Sequence, residues 1–197
     1  MNYSIIIPTL KNLNDIQPLI EEIKKNTVGD YELITTCENM SAAKNRNKGL
    51  NLATKDYIIM IDDDVSNIPY EWNINLCKPF MEYNNIAIIS ARLINADKQA
   101  SAMSSGNYDM ITPIISVHRI PSACIAFKKT HLRFDEAYIG SGYEDTDFCE
   151  QFKKLDLKYS FIINNNVKVV HKNEAKNQRG HEWAKNKQIF FNKWGHE

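Results

Sequence analysis

The sequence has no net charge and no closely spaced pair of cysteines. Its 197 residues include 24 Lys and Arg against 24 Asp and Glu. A neutral chain has no overall field that attracts nucleic acid or anionic lipid, so nucleic acid is disfavoured as a partner, although the basic cluster at 44–48 leaves it open. The four cysteines lie far apart and mostly within apolar runs, which is typical of buried thiols and argues against a disulfide framework.

The sequence also lacks a long apolar segment and a basic leader at its N-terminus. No stretch approaches the ~20 apolar residues that a membrane span requires, and the first residues already have the pattern of a strand. Together with the reduced thiols, these absences predict a cytoplasmic protein without a membrane span. The length and the hydrophobic content of 43% suffice for one well-packed domain over residues 1–197, and the oligomeric state stays open.

A strand that ends in three carboxylates dominates the first half of the sequence. Residues 58–61 are all apolar, which indicates a strand buried on both faces, and Asp62, Asp63 and Asp64 follow directly. Three acids at the end of a strand repel one another unless a cation or a network of donors holds them. Either these acids form a solvated turn, or Asp62 and Asp64 bind Mg²⁺ or Mn²⁺ together with a phosphorylated ligand.

Two strand-helix units precede this strand, so the first half has the order β-α-β-α-β. This order predicts a parallel sheet with right-handed crossovers. The carboxyl ends of its strands then bring Thr9, Glu38 and residues 62–64 to one edge, and residues 1–95 form a nucleotide-binding half. The predicted elements are strands over 3–7, 31–37 and 57–61, an amphipathic helix from 14 or 15 to Gly29, and a helix from Ser41 to about Leu52.

The rest of the chain alternates strands with helices around one long loop. Residues 95–112 have no sustained period, which predicts a loop of a length that is typically functional in a compact domain. The predicted elements are a helix over 69–81, strands over 86–90, 121–127, 158–163 and 167–170, and helices over 144–155 and 183–194.

Residues 140–147 place two glycines before a helix whose first turn is acidic. One interpretation is structural, because acids in a first turn interact favourably with the helix dipole. The other is catalytic: the glycines let the backbone approach a ligand, Asp145 acts as general base on an acceptor hydroxyl, and Glu144 orients the acceptor. Asp147 points about 200° around the helix axis from Asp145, so it is not the predicted base.

His171 and Arg46 are the remaining candidates. His171 ends a predicted strand, and it is either a satisfied structural histidine or a metal ligand at the same edge as Asp64. Arg46 belongs to the basic cluster 44–48. This cluster is either a solvated helix face or a site where Arg46 meets a diphosphate or a base.

These segments resemble those of the inverting glycosyltransferases of family 2, in the same order and over nearly the whole chain. Two departures stand out. Residues 36–40 lack the aspartates with which the family holds the nucleotide base, so Glu38 is the nearest substitute, and Arg133 replaces a glycine of the G-F-D-E turn. The matching segments are residues 4–9, residues 43–50 in the place of A-x-R-N-x-G-L, the D-x-D strand, Phe134-Asp135-Glu136, Glu144-Asp145, Val170-His171, and the run from Asn186 to Trp194.

The resemblance implies one domain with the GT-A fold, an α/β fold with a Rossmann-like, mixed and mostly parallel sheet flanked by helices. It implies inverting transfer of a sugar from a nucleoside diphosphate donor, a UDP-sugar being favoured, to a hydroxyl of a glycan or lipid-linked glycan, with residues 96–197 as the acceptor half. The implied residues are Asp145 and Glu144 for catalysis, Asp62, Asp64 and His171 for Mn²⁺ or Mg²⁺, and Pro8, Thr9, Glu38, Arg46, Asp62 and Asp63 for the nucleotide.

The same residues suggest three other functions. A haloacid-dehalogenase-like phosphatase also has D-x-D after an apolar strand, but usually on the first strand of the chain. A nucleotidyltransferase needs a glycine-rich basic loop after the first strand, and residues 8–12 do not form one. A catalytically degenerate nucleotide-sugar-binding module stays an alternative.

The C-terminal segment 172–197 is predicted to be a lid. Its first part is polar and follows His171 directly, so Lys172 or Arg179 could bind the donor diphosphate and order the segment. The aromatic helix beyond it would then anchor the lid.

Overall fold

The described part of the chain folds around an eight-stranded sheet. The computed structural model describes residues 1–37, 41–96, 111–140, 142–172 and 180–195. The strands are β1 (Asn2–Thr9), β2 (Asp30–Cys37), β3 (Tyr57–Ile61), β4 (Val65–Ser66), β5 (Ile86–Ile94), β6 (Ile114–Val117), β7 (Cys124–Lys128) and β8 (Ser160–His171). The helices are α1 (Gln17–Asn26), α2 (Ala42–Leu52), α3 (Trp72–Cys77), α4 (Pro79–Glu82), α5 (Glu144–Leu155) and α6 (Gly180–Trp194).

The sheet is mixed, with β7 as an antiparallel strand between two parallel blocks. Its order is β2-β1-β3-β7-β5-β8-β4, and β6 also pairs with β8. β1 runs parallel to β2 and β3, as the β-α-β-α-β order predicts, and β5 runs parallel to β8. β7 is antiparallel to both β3 and β5. The two longest ladders, β1 with β2 and β5 with β8, are therefore parallel.

Helices cover both faces of this sheet. Successive residues of a strand point to opposite faces, and Ile5 and Ile59 accordingly join one apolar cluster while Ile6 and Ile58 join another. The first cluster includes residues of α1, α3 and α4, and the second includes residues of α2 and α5. The sheet is the middle layer of three, which leaves its carboxyl edge free for a site.

The packing of α2 on β1 fixes where Arg46 lies. The Ser41 hydroxyl caps α2 by accepting from the Lys44 backbone N–H at 3.3 Å, as predicted. Gly49 faces Ile6 so closely that a Cβ atom at this position would overlap the isoleucine side chain. The glycine therefore permits the close approach that holds α2 in one rotational setting.

The predicted strands over 158–163 and 167–170 are one strand, β8. Three asparagines at 164–166 interrupt the apolar pattern, and the sequence therefore suggested a break. Other segments bind the side-chain amides of two of them, which keeps this stretch in the strand: Asn164 donates to the Asn75 carbonyl at 2.9 Å, and Asn165 accepts from Arg92 Nε at 2.5 Å. The ladder with β5 is irregular at this point, between Ala91 and Arg92.

Several other boundaries differ from the predictions. β1 continues through Pro8 to Thr9, because its ladder with β3 ends at Ile6 and the missing N–H of Pro8 breaks no bond to that strand. The helix predicted over 69–81 is two short helices, α3 and α4, separated before Pro79. β4 and β6 were not predicted. Most of the predicted loop, residues 97–110, lies outside the described residues. None of the helices in the described ranges is long and apolar enough to cross a membrane.

Candidate active site

The three acids after β3 point in two directions. The Asp62 N–H extends the β3 ladder by donating to the Ala123 carbonyl at 2.8 Å, and the Val65 N–H donates back to the Asp62 carbonyl at 3.2 Å, so residues 62–65 form a tight turn. Asp63 turns towards β1, where the Thr9 hydroxyl donates to its carboxylate and Lys11 Nζ lies 3.4 Å from its Oδ1. The edge predicted from strand order is therefore formed by contacts between β1 and β3.

Asp62 and Asp64 meet His171 on the other side of this turn. The pairing of β4 with β8 sets His171 opposite Val65, and the Lys172 N–H donates to the Asp64 carbonyl at 3.1 Å. His171 Nε2 lies 3.1 Å from Asp64 Oδ1, and one ligand atom from each of Asp62, Asp64 and His171 lies within 4.8 Å of the others. A two-residue strand that the sequence did not reveal thus completes the predicted trio.

The chemistry of this trio suits a divalent ion. Burial raises the pKa of Asp62 and the charge of Asp64 adds to the rise, although Arg46 opposes it. A cation between the carboxylates would offset this repulsion, and two carboxylates with one imidazole form a donor set that Mn²⁺ accepts and that Mg²⁺ accepts less readily. The imidazole is 3% exposed, and Nε2 is the atom that faces the cluster because it lies 3.1 Å from Asp64 Oδ1. Its Nδ1 has no hydrogen-bond partner within the described part of the chain.

Arg46 links this trio to the start of α5. Its Nη2 donates to Asp62 Oδ1 at 3.0 Å, and its Nη1 donates to Glu144 Oε1 at 2.8 Å. The side chain is 5% exposed. Burial alone would lower the pKa of the guanidinium, but the two carboxylates raise it further above its ordinary value, so the group is charged. Its predicted contact is a diphosphate or a base, whereas the contacts in the structure are two acids.

The neighbours Glu144 and Asp145 differ in what they contact. Glu144 is buried; one oxygen accepts from Arg46, and the other accepts from the Gly142 N–H. Asp145 is partly exposed, and its Oδ1 accepts from the Thr146 N–H at 2.7 Å. Burial and the charge of Glu144 raise the pKa of Asp145 to about 6, against the opposing effect of Arg46. In the first turn of α5, Glu144 therefore has both oxygens in hydrogen bonds, whereas Asp145 is partly exposed to solvent.

Asp147 binds the C-terminal helix and not the site. This fully buried carboxylate accepts from the Tyr138 hydroxyl at 3.2 Å and from Trp194 Nε1 at 2.7 Å, and Lys193 Nζ lies 2.8 Å from it. Its direction agrees with the angle expected around the helix. The sequence did not indicate this role.

The two glycines before α5 make room for α6. Both have positive φ, 63° at Gly140 and 115° at Gly142. A Cβ at Gly140 would overlap the Glu182 carboxylate, and one at Gly142 would lie 3.2 Å from Trp183 Cδ1. Their predicted role was the close approach of a ligand; the space beside them is taken by another part of this chain.

Two asparagines fix the loops around the acids, and the sequence reading missed both. The Asn47 amide accepts from the Phe134 N–H at 2.9 Å and donates to the Phe134 carbonyl at 2.8 Å. The fully buried Asn186 accepts from the Ile139 N–H at 3.0 Å and donates to the Gly142 carbonyl at 2.9 Å. Both belong to segments that resemble the family, so their presence was visible but their partners were not.

Glu38 and part of the predicted lid cannot be placed in this geometry. Glu38 and residues 173–179 of the predicted lid lie outside the described residues. Pro8 lies at the edge itself, paired with Thr36 of β2. The nucleotide role of these positions stays a prediction.

The sequence of this chain matches a family model. The model of glycosyl transferase family 2 aligns with residues 34–144, more than half of the chain. The chain belongs to glycosyltransferase family 2. The match contains Arg46 and the acids after β3 and ends at Glu144, so Asp145 and His171 lie beyond it. Membership in this family removes the phosphatase alternative.

Individual relatives agree with the family and the fold. The amylovoran biosynthesis glycosyltransferase AmsB of Erwinia amylovora is 25% identical over 186 residues, which cover 82% of this chain and 58% of AmsB. A crystal structure of GalNAc-T7 with UDP, GalNAc and Mn²⁺ gives a TM-score of 0.75 at 11% identity, over 100% of this chain and 48% of that chain. A197 from STIV gives 0.59 at 17% identity, over 87% of this chain and 85% of that chain.

These structural matches show the fold alone, because their sequence identities are low. The fold is GT-A, with the mixed sheet between helices that the resemblance implied. The chain spans about half the length of AmsB and of GalNAc-T7, at 58% and 48%.

Proposed function

We propose that this chain is an inverting, metal-dependent glycosyltransferase that transfers a sugar from a UDP-sugar to a hydroxyl of a glycan or a lipid-linked glycan. The convergence of Asp62, Asp64 and His171 within 4.8 Å, next to a second acid cluster, carries the proposal. Family membership supports the transfer chemistry. The neutral overall charge favours an acceptor that is not a nucleic acid.

The trio of Asp62, Asp64 and His171 is the proposed site for Mn²⁺ or Mg²⁺. An ion held by these residues would neutralise charge that develops on the departing diphosphate. The crystal structure of GalNAc-T7 contains Mn²⁺ together with UDP, which supports this pairing of ion and nucleotide.

The donor nucleotide is proposed to lie across the ends of β1 and β3. Thr9 and Asp63 are already joined there, and Lys11 Nζ lies 3.4 Å from Asp63 Oδ1. A lysine at this edge gives the diphosphate a cation besides the metal. Pro8 and Glu38 are proposed as further contacts to the nucleotide.

Asp145 is the proposed general base. Inverting transfer by a single displacement needs a carboxylate that is held neither by the ion nor by an arginine. Asp62 and Glu144 both accept from Arg46, whereas Asp145 is partly exposed and its pKa is raised to about 6. Asp145 takes the proton of the acceptor hydroxyl while the acceptor oxygen attacks the anomeric carbon, and the bond to the diphosphate breaks on the opposite face of the sugar.

Calorimetric titration tests the donor and the ion together. The protein is titrated with UDP-, GDP- and dTDP-sugars, each with Mn²⁺ or with EDTA. The expected result is binding of the UDP-sugar that disappears in EDTA. Equal binding in EDTA would contradict the metal site. Preferential binding of a GDP- or dTDP-sugar would contradict uracil as the base of the donor nucleotide. Binding without transfer to any acceptor would support a degenerate binding module instead.

A further inference from the structure

We propose that Arg46 is a positioning residue that fixes the distance between the proposed base, Asp145, and the proposed metal trio of Asp62, Asp64 and His171. The inference rests on the proposed function, because it takes the roles of Asp62 and Asp145 from there. Its basis is the split geometry of the guanidinium, with Nη1 at 2.8 Å from Glu144 Oε1 and Nη2 at 3.0 Å from Asp62 Oδ1. One planar, rigid group thus joins two acids that belong to separate elements, α5 and the turn after β3.

The guanidinium is held at both terminal nitrogens, while its Nε has no hydrogen-bond partner in the described part of the chain. It lies over the Phe134 ring, with Cζ 5.3 Å from the ring centroid. The neighbouring Asn45 donates to the Thr9 carbonyl at 3.3 Å, and Asn47 binds the backbone of Phe134. If Arg46 swung away to a ligand, Glu144 would stay buried without its cation, which is strongly unfavourable.

A cation at this position also sets the spacing of the acids. Glu144, Asp145 and Asp62 are like charges, and without a cation between them they would repel one another. Arg46 holds Asp62 on one side and Glu144, the residue before Asp145, on the other. It therefore fixes how far the base lies from the ion without touching substrate.

The same arrangement adjusts the base. Asp145 faces charges from three elements: Glu144 on α5, Arg46 on α2 and Asp62 after β3. Glu144 and Asp62 raise the pKa of Asp145, and Arg46 lowers it. With Arg46 present this pKa is about 6; without Arg46 it would be higher, and more of the base would be protonated near neutral pH.

Three variants test the inference by initial rates from pH 5 to 9 with UDP-sugar and Mn²⁺. Arg46→Met should lower kcat by about 10²-fold because the acids lose register, should leave the donor KM within about threefold, and should move the acidic limb upward by about one pH unit. Arg46→Lys keeps the charge but not the planar fork. Its acidic limb should therefore lie at the wild-type pH, while its kcat should recover only in part. Arg46→Met/Glu144→Gln removes the pair together, so its limb should return towards wild type.

Arg133→Met is the matched control. Arg133 is another arginine near Phe134, but it donates to Asn51 Oδ1 at 3.0 Å and contacts none of the acids, so the rate profile should not change. If Arg46→Met does not fold, the double variant is compared with Glu144→Gln instead, and identical limbs would then contradict the inference.

Two other outcomes would overturn the inference. A raised donor KM with unchanged kcat in Arg46→Met would make Arg46 a ligand of the diphosphate, and an unchanged limb and kcat would make it a filler of space. The wild-type protein separates these failures from failure of the proposed function. If wild type neither binds UDP with Mn²⁺ nor transfers sugar, the proposed function is wrong; if wild type is active and Arg46→Met equals it, only the inference is wrong.

Discussion

Glu144 and Asp145 are adjacent on the first turn of α5, yet their surroundings assign them different chemistry. Both oxygens of Glu144 accept hydrogen bonds, one from Arg46 and one from the Gly142 N–H. Asp145 accepts only from its own turn among the contacts described, and its pKa is raised to about 6. Two adjacent acids that look equivalent in the sequence therefore differ in the structure: Glu144 is a structural acid, and Asp145 is the candidate base.

Asp145→Asn should lower sugar transfer by about 10²–10⁴-fold, because the amide keeps the shape of the side chain but cannot accept the proton. Binding of UDP with Mn²⁺ should be retained, since Asp145 is not in the metal trio. Single-turnover rates and calorimetry on one preparation measure both effects. Asp15→Asn, at an exposed acid before α1, should keep the wild-type rate. If Asp145→Asn is nearly as active as wild type while Glu144→Gln is inactive, the base is Glu144. If both variants are active, the two acids only cap the helix.

Asp145→Asn should also increase the free energy of unfolding relative to wild type above pH 6. The pKa of Asp145 is raised from 3.8 to about 6 in the folded chain, so the folded state binds a proton that the unfolded state releases between these values. Wild-type stability therefore falls as pH rises through this window, and Asn has no such loss. At pH 7.5 the variant should gain on the order of 2–3 kcal/mol relative to its difference from wild type at pH 3.5. Urea unfolding at both pH values measures the change, and a difference independent of pH would contradict the raised pKa.

At the residue scale, the sequence was a better guide to which strand ends share an edge than to the hydrogen-bond partners of a single side chain. Asp62, Asp64 and His171 were paired by the rule that strand ends share an edge, and the structure brings them together. The partners of Arg46 were not predictable in this way. Helical spacing shows which face of α2 an arginine occupies, but it contains no information on the loop that packs opposite that face.

At the scale of elements, α6 supports the segment that precedes the proposed base Asp145. Asn186 holds the backbone of Ile139 and Gly142, and the Gly142 N–H in turn binds Glu144. Phe190 is buried, and its ring lies 5.4 Å from the ring of Tyr143. The helix was predicted as the anchor of a lid, and its described contacts include the segment before α5 and Asp147 within α5.

Asn186→Ala should destabilise the chain by about 1–3 kcal/mol, because it removes the hydrogen bonds through which this fully buried amide holds the backbone of Ile139 and Gly142. Transfer by the folded fraction should fall as well, since Gly142 no longer holds Glu144 firmly. Denaturant unfolding and kcat per folded molecule separate the two effects. Asn192→Ala removes an exposed asparagine from the same helix and should change neither by a measurable amount. A stable and fully active Asn186→Ala would show that α6 is a passive tail.

The errors at this scale have a common cause. β8 was divided into two strands because three asparagines interrupt its apolar pattern, and β4 was missed because two residues carry no pattern. In both cases the strand is stabilised by contacts with distant segments, such as the bond from Asn164 to the Asn75 carbonyl. Periodicity detects elements that bury one face, whereas these elements depend on their neighbours.

At the scale of the whole molecule, the proposed metal trio joins the two parallel blocks of the sheet. Asp62 and Asp64 follow β3, while His171 ends β8 at the far side of β7 and β5. The division into a nucleotide half, 1–95, and an acceptor half, 96–197, stays a proposal, and on it the ion would lie where the halves meet. The short pairing of β4 with β8 is the structural basis of this connection.

An ion that binds only the folded trio should stabilise the entire chain. At a free ion concentration of about 100 times its Kd, the gain should be about 2.7 kcal/mol, and EDTA should reverse it. Thermal unfolding with and without Mn²⁺ measures the rise in Tm. Asp64→Asn should lose this rise, because it removes the carboxylate that lies 3.1 Å from His171. Asp63→Asn should keep the rise with Mn²⁺ alone, because Asp63 turns instead to Thr9 and Lys11. An equal rise in Asp64→Asn would place the ion at other residues and would leave the trio as an acidic turn with a structural histidine.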